Sequence, residues 1–193
     1  MQEIVNEARR NNDEVSRVEK IMLAGTVVPK SLARSICEIF GVESLINYYG
    51  MTETCALLSA SPVGEVTLDN SGIPVAGSKI KDLTSGDPLS PYQNGEILVH
   101  TPCVMKGYLG HPEATAEALS EDGWLRTGDL GYYDEKGRIH IIDRLKQMIK
   151  CMGNVVTPAE LEEILMTHEA VEEVVVLGIK QQCSSTSTEE YFS

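Results

Sequence analysis

The chain has 193 residues and is acidic: 29 Asp and Glu outnumber 16 Lys and Arg, giving a formal net charge of −13. An apolar fraction of 42% is typical of a folded globular protein. The charge excludes a general surface for nucleic acid or anionic membrane, because no long basic face could replace phosphate counterions. No run reaches the roughly 18 apolar residues of a membrane span, so no integral membrane segment is expected.

The five cysteines are scattered and never spaced as C-x-x-C. This pattern predicts neither a disulfide framework nor a zinc site. We therefore expect reduced thiols in an intracellular compartment, with cytoplasm and peroxisome both open.

Residues 1–60 predict the end of an α/β domain. After a broken helical pattern over residues 4–18, IMLAGTVVP gives a short buried strand that leads into a turn. Residues 31–40 place apolar side chains at helical spacing before Gly41, and SLINYY then gives another strand. This order indicates an α/β layered domain whose first part lies upstream of the sequence.

A candidate ligand site follows the SLINYY strand, because ligands of open α/β sheets bind at the carboxyl ends of strands. Tyr49 offers a flat face for a base and Gly50 allows close backbone approach. Thr52 offers a hydroxyl for a phosphate oxygen, and Glu53 a carboxylate for Mg²⁺. A tyrosine-rich strand end with a capping Thr is the alternative, and these residues alone leave both open.

Residues 61–142 carry short apolar runs separated by Pro, Gly, Asn and Asp, a pattern typical of β structure. Asn94-Gly95 and Lys136-Gly137 predict hairpin-like turns. The helix candidate is Pro112 to Leu119, with proline at the first helical position. We expect a small, strongly bent sheet or distorted barrel.

The segment Trp124 to Leu130 is predicted to lie between strands of this region. Within it, Asp129 follows a glycine, and an exposed carboxylate there could accept two hydrogen bonds from a sugar diol. An Asx turn beside a buried Trp accounts for the segment equally well.

A change of residue pattern at Asp143 predicts a junction between two domains. Residues 136–150 contain five Lys or Arg and one Asp, a local net charge of +4 in an acidic chain. This basic cluster would either meet a small bound polyanion or form a solvated strand end.

Residues 147–180 predict the beginning of a small α+β domain. A hairpin is expected around Gly153-Asn154. Thr157 to Glu160 then predicts a helix start, with Thr as N-cap, Pro at the first position and Glu completing a capping box. Residues 173–179 predict a buried strand.

Residues 181–193 are polar and rich in Ser and Thr, and are predicted to form a disordered tail. A domain that stops after a hairpin, a helix and one strand is expected to be truncated.

Three strings occur in order: YYGMTE at 48–53, GWLRTGDLG at 123–131 and DRLKQMIKCMGNVVTPAELE at 143–162, with VMKGYLGHPEATAEAL between the first two. Together they closely resemble the adenylate-forming superfamily, which includes acyl-CoA synthetases, 4-coumarate:CoA ligases, beetle luciferases and peptide-synthetase adenylation domains. The resemblance covers residues 21–180 and leans toward the 4-coumarate ligase, luciferase and fatty acyl-CoA synthetase branch. It implies an α/β sheet followed by a distorted β-barrel, both from a large N-terminal domain, and then the start of a small C-terminal domain.

The resemblance also implies an activity. Family members activate a carboxylic acid with Mg-ATP to an acyl-adenylate, release pyrophosphate, and in most cases transfer the acyl group to coenzyme A. ATP, Mg²⁺ and coenzyme A are therefore the implied cofactors and a small carboxylic acid the implied substrate. The oligomeric state is left open.

The matching positions take roles by this resemblance. Tyr49, beside Gly50, would stack on adenine, and Asp129 would accept hydrogen bonds from the ribose hydroxyls. Thr52 would contact the phosphate of the adenylate, and Glu53 would help to hold Mg²⁺.

The resemblance also implies a hinge between the two domains at residues 143–146, and three further positions lie at or near it. Arg144 would reach the same nucleotide, Lys150 would enter the site for the second half-reaction, and Gly153 would line the approach of the thiol. Attack of a carboxylate on the α-phosphorus brings two anions together, so Mg²⁺ and cationic side chains must offset the charge. Thr52, Glu53 and Lys150 are the catalytic residues that follow from this reading.

Gly25 and Thr26 resemble the family's turn near the acyl group, and Tyr48 stands where the family usually has Gly, so these three are the acyl-pocket candidates. The family's phosphate loop and its C-terminal lysine are not in the sequence, which implies a ligase that works only in a longer chain. The alternatives are a non-catalytic binding or interaction protein and a luciferase-like adenylating oxygenase.

Overall fold

The structure is a computed structural model that describes residues 1–11, 18–25, 28–55, 57–75, 77–151, 154–168, 170–171, 173–181 and 190–192. The α-helices are Gln2–Asn11 (α1), Lys30–Phe40 (α2), Pro112–Ala118 (α3) and Pro158–Leu165 (α4). The strands are Lys20–Leu23 (β1), Ser44–Tyr49 (β2), Ser59–Ala60 (β3), Ile73–Pro74 (β4), Gly77–Lys81 (β5), Gly95–His100 (β6), Leu125–Tyr133 (β7), Ile139–Arg144 (β8), Ile149–Cys151 (β9), Asn154–Val156 (β10), Ile179–Gln181 (β11) and Glu190–Phe192 (β12). No helix in these described ranges is both long enough and apolar enough to cross a membrane.

The first sheet has the strand order β1-β2-β3-β4, with β1 and β2 parallel and connected through α2. Gly41 ends α2 in the left-handed conformation, and its N–H donates to the Cys37 carbonyl, as the glycine at that position predicted. Val5 of α1, Ile36 of α2 and Leu45 of β2 form one buried cluster. Burial of each such side chain stabilises the fold by about 1.5–3 kcal/mol, and the carboxyl end of β2 is thereby fixed in place.

The second sheet is an antiparallel meander in the order β5-β6-β7-β8. These described strands form an open sheet, so the expectation of a barrel is wrong. The register shifts at two places, between Glu96 and Leu98 and between Leu130 and Gly131, and such irregularities commonly bend a strand. A second buried cluster is formed largely by side chains of this sheet, among them Ile97 and Leu125.

The two predicted turns of this sheet differ in outcome. Lys136-Gly137 is a turn between β7 and β8, with Gly137 at φ 73° and its N–H donating to the Asp134 carbonyl. Asn94-Gly95 is not a turn, because Gly95 begins β6 and is buried. A Cβ at Gly95 would lie 2.2 Å from the Lys81 carbonyl oxygen, so close strand pairing is what requires this glycine.

The segment predicted to lie between strands is mostly strand β7. Gly128 has a positive φ of 71° within it. Trp124 precedes the strand and is half-buried under the ammonium group of Lys79, which lies 3.5 Å from the ring centroid. The Asx turn is therefore replaced by extended backbone, and Asp129 stands on a sheet.

The helix and hairpin after β8 are confirmed, with β9 and β10 antiparallel and Thr157 at the N-cap of α4. The capping box is wrong, because no side chain of the cap forms the expected hydrogen bond. Instead, the Asp143 carboxylate at the end of β8 accepts a hydrogen bond from the Ala159 N–H at 3.4 Å. One backbone N–H in the first turn of α4 thus finds its acceptor on the preceding strand.

The predicted buried strand over residues 173–179 is largely wrong. In the described part of the chain β11 begins only at Ile179, and the preceding segment is tied to α4 by the Val176 N–H donating to Glu162 Oε1 at 2.9 Å. Strand burial needs a covering layer, and Val175 and Leu177 are exposed. Glu190–Phe192, within the predicted disordered tail, pairs with β11, and residues 182–189 and 193 lie outside the described residues.

Candidate functional site

Three elements bring side chains together where the two sheets meet. The Tyr49 hydroxyl at the end of β2 donates to Asp129 Oδ2 at 2.7 Å. Arg144 Nε lies 3.1 Å from Asp129 Oδ1, and the two residues are paired across β7 and β8. These three residues, separated by up to 95 positions in the sequence, form one network, which we call the Tyr-Asp-Arg network.

Asp129 is the centre of this network and is only 3% exposed, so the expectation of an exposed carboxylate is wrong. Its backbone N–H donates to Thr127 Oγ1 at 3.1 Å, and the Thr127 hydroxyl donates to the Ile97 carbonyl at 2.8 Å. Both carboxylate oxygens of Asp129 therefore have a side-chain partner, and its backbone is fixed by Thr127.

Burial sets the charge states in the network. Burial raises the pKa of the Asp129 carboxyl, whereas the Tyr49 hydrogen bond and the Arg144 charge act in the opposite direction. Burial, followed by the nearby Asp129 charge, raises the pKa of the Tyr49 phenol far above its usual range. Tyr49 is therefore neutral and a donor, and its hydroxyl fixes the orientation of its ring.

Gly50 and Met51 connect Tyr49 to a short 3-10 helix, Thr52–Thr54. Thr52 is exposed and is the first residue of this helix, whose N-cap is Met51, so the interpretation as a capping Thr is wrong. The Glu53 side chain is half-buried, and its Oε1 accepts a hydrogen bond from the Tyr108 hydroxyl at 2.9 Å. An exposed hydroxyl and an oriented carboxylate thus lie just after the network.

Other predicted residues are not joined to the network. Lys150 is exposed on β9, and no hydrogen bond or ion pair connects it to Asp129 in the described part of the chain. The Tyr48 hydroxyl lies 3.5 Å from the Met22 sulfur on β1, on the opposite sheet face from Tyr49. Gly25 is exposed with φ 94°.

The remaining two predicted residues, Thr26 and Gly153, lie outside the described residues.

Two residues of the site were missed by sequence reasoning. Thr127 supports the Asp129 backbone, and Tyr108 contacts Glu53 across 55 positions of sequence. The only signal for Tyr108 was its place in the string VMKGYLGHPEATAEAL, to which the resemblance assigned no residue role.

The donor set fits a magnesium ion that arrives with a phosphate ligand. Among the described residues, no group of three or more His, Cys, Asp or Glu could hold a metal. Mg²⁺ commonly keeps several waters and takes only one or two carboxylates beside substrate phosphates. The single carboxylate of Glu53 suits that arrangement and does not suit a metal cage made by protein alone.

A mixed α/β sheet and an antiparallel sheet meet at a polar network, and the carboxyl ends of strands are where open α/β sheets generally bind ligands. Residues 1–109 match the family model described as AMP-binding enzyme, and the chain belongs to this family.

Relatives agree with this assignment. Luciferin 4-monooxygenase of Nipponoluciola cruciata is 37% identical over 171 residues, which cover 88% of this chain and 31% of that protein. The 4-coumarate–CoA ligase-like 6 protein of Oryza sativa subsp. japonica is 36% identical over 176 residues, which cover 89% of this chain and 29% of that protein. The chain spans about a third of the length of these relatives.

A solved structure supports the fold. O-succinylbenzoate coenzyme A synthetase of Bacillus subtilis, in complex with ATP and magnesium ion, superposes with a TM-score of 0.76 at 33% identity. The match covers 94% of this chain and 38% of that chain. The predicted family and α/β plus β fold class are confirmed.

Proposed function

We propose that the chain is part of an AMP-forming acid:CoA ligase that activates a carboxylic acid with ATP and transfers the acyl group to coenzyme A. The observation that carries the proposal is the buried Asp129 carboxylate, fixed between the Tyr49 hydroxyl and the Arg144 guanidinium. Family membership and the ATP complex of the Bacillus subtilis relative support the same nucleotide.

The network has the groups that a nucleoside needs. Adenine would stack on the Tyr49 ring, whose orientation is fixed by its hydroxyl. The ribose hydroxyls would donate to Asp129, and close approach beside the ring is allowed at Gly50. The Arg144 side chain is 62% exposed, so its remaining N–H groups can donate to the nucleotide.

Thr52 and Glu53 would act on the phosphates. The exposed Thr52 hydroxyl would donate to a phosphate oxygen of the adenylate. Glu53 would hold Mg²⁺, which, when bound, offsets the negative charge on the phosphates. Both residues are held next to Tyr49 by the short 3-10 helix, so base and phosphate contacts have a fixed spacing.

Movement about residues 143–146 would serve the second half-reaction. The domain limits we propose are residues 1–60, 61–142 and 147–180, with Asp143 as the first residue of the hinge. Lys150, now exposed on β9, would then reach the adenylate, and Gly153 would line the thiol's approach.

The acyl group would be surrounded by the three acyl-pocket candidates, Gly25, Thr26 and Tyr48.

A luciferase-like oxygenase is the second candidate, because a luciferin 4-monooxygenase matches about as well as a CoA ligase-like protein. Both reactions would use the same nucleotide contacts, since the family resemblance implies adenylate formation in each. Light emission with a supplied luciferin would favour the oxygenase, and acyl-CoA formation would favour the ligase.

Calorimetric titration with ATP and Mg²⁺ tests the nucleotide site. We expect the chain to bind ATP, and Asp129→Ala to weaken binding by roughly 100-fold, since two charge-assisted hydrogen bonds are lost. Glu113→Ala, an exposed carboxylate on α3, is the control and should bind like the wild type.

A pyrophosphate-release assay with a panel of aryl and fatty acids, run on a full-length ligase that contains this chain, then separates catalysis from binding. Release that depends on an added acid supports the ligase. Binding without release supports a non-catalytic binding protein, and absence of both contradicts a nucleotide site.

A further inference from the structure

The loop between β6 and α3, residues 101–111, forms two hydrogen bonds with Glu53 of the 3-10 helix. The Met105 N–H donates to the Glu53 carbonyl oxygen at 2.7 Å. The Tyr108 hydroxyl donates to Glu53 Oε1 at 2.9 Å. Both the backbone and the carboxylate of Glu53 are therefore held by one loop.

Tyr108 is itself held from the other side. Its backbone N–H donates to Thr115 Oγ1 at 2.9 Å, and the Thr115 hydroxyl donates to the His111 carbonyl at 2.9 Å. Gly107, at φ 149°, lies so close to Thr115 that a Cβ would be 2.8 Å from Thr115 Cγ2. The loop backbone is thus fixed on α3, and Tyr108 reaches Glu53 from an anchored position although 38% of its surface is exposed.

We propose that Tyr108 is a positioning residue for the metal-nucleotide site: its hydroxyl holds Glu53 Oε1, so that Oε2 is directed toward the Mg²⁺ of the bound nucleotide. This inference rests on the proposed function. A phenol suits the role because it donates a hydrogen bond and adds no positive charge that would repel the ion. Hydrogen bonds of this kind commonly orient the carboxylates that bind metals.

The two contacts of the loop can be separated by mutation. Tyr108→Phe removes the side-chain hydrogen bond and leaves the bond between the Met105 N–H and the Glu53 carbonyl. Tyr133→Phe is the matched control, because it removes a hydroxyl that donates to the Leu89 carbonyl at 3.1 Å in the second sheet. A general effect of losing a tyrosine hydroxyl would appear in both variants.

The readout is the Mg²⁺ dependence of ATP binding, measured by calorimetry over a series of Mg²⁺ concentrations. Tyr108→Phe should shift the Mg²⁺ midpoint about 10-fold higher. AMP binding without Mg²⁺ should be unchanged, and Tyr133→Phe should match the wild type. In a Glu53→Gln background, Tyr108→Phe should produce no further shift, since it acts through the Glu53 carboxylate.

Two results would overturn the inference while leaving the proposed function intact: an unchanged Mg²⁺ midpoint in Tyr108→Phe, or a further shift in the Glu53→Gln background. In Tyr108→Phe, a loss of AMP binding without Mg²⁺ as large as the loss of ATP binding with Mg²⁺ would also overturn it, because the effect would then be structural. A wild-type chain that binds no nucleotide would instead contradict the proposed function, and the inference with it.

Discussion

The chain before and after Arg144 is stabilised in different ways. The earlier part contains two buried apolar clusters and the Tyr-Asp-Arg network, whose members come from distant positions in the sequence. In the described residues after Arg144, Ile149 is a buried apolar side chain, whereas Val175, Leu177 and Ile179 are 68–74% exposed. The difference teaches that the proposed nucleotide contacts stand on sheets with buried cores, while the Lys150 segment is held mainly by local hydrogen bonds.

Core truncation should give the largest contrast between the two parts. Ile97 is 0% exposed within the second sheet and Leu177 is 70% exposed. We expect Ile97→Ala to lower the free energy of unfolding by about 3 kcal/mol and Leu177→Ala to change it by less than about 0.5 kcal/mol. Urea denaturation measures both, and equal losses would contradict the contrast.

The contact between the two parts at Asp143 should have an intermediate effect. Its carboxylate accepts hydrogen bonds from the Arg144 N–H at 2.7 Å and the Ala159 N–H at 3.4 Å. Asp143→Ala should therefore destabilise the start of α4 by about 1 kcal/mol, measured as faster hydrogen exchange over residues 158–165. Glu160→Ala is the control, since the expected capping box is not formed, and a larger effect there than at Asp143 would refute this cap.

The pH dependence of Asp129 should have the smallest effect. Because burial raises its native pKa above the ordinary value of 3.8, the native protein binds a proton that the unfolded chain has already released. Its contribution to the free energy of unfolding is therefore present below 3.8 and is lost as pH rises through the native pKa.

Asp129→Asn removes this titration. The unfolding free energy of the wild type minus that of the variant should decrease as pH rises from below 3.8 toward neutrality, measured by urea denaturation at each pH. A difference that increases with pH would mean that Tyr49 and Arg144 outweigh burial.

Local signals predicted much of the fold, including the end of α2 at Gly41, the turn at Gly137 and the start of α4. Errors arose where the tertiary structure overrides a local pattern. Asn94-Gly95 has hairpin composition, yet Gly95 is required by its close approach to β5. In place of the capping box, the Glu160 N–H donates to the Thr157 carbonyl, and the neighbouring Ala159 N–H donates to Asp143 on another element.

The site shows the same difference between what local patterns predict and what tertiary structure decides. The resemblance singled out Tyr49, Asp129 and Arg144, which the structure brings into contact. Tyr108 could not be predicted, because its contact with Glu53 depends on how a loop folds against α3. No residue pattern within VMKGYLGHPEATAEAL predicts the contact of Tyr108 with Glu53.

Hydrogen exchange of the wild-type chain with and without ATP and Mg²⁺ tests the central claim most directly. We predict slower exchange at residues 48–53 and 125–133 when the nucleotide binds, since these segments carry the proposed base, phosphate and ribose contacts. Residues 173–181 should be unaffected. Unchanged exchange at 48–53 and 125–133 under saturating ATP, or protection confined to residues 173–181, would contradict a nucleotide site built on the Tyr-Asp-Arg network.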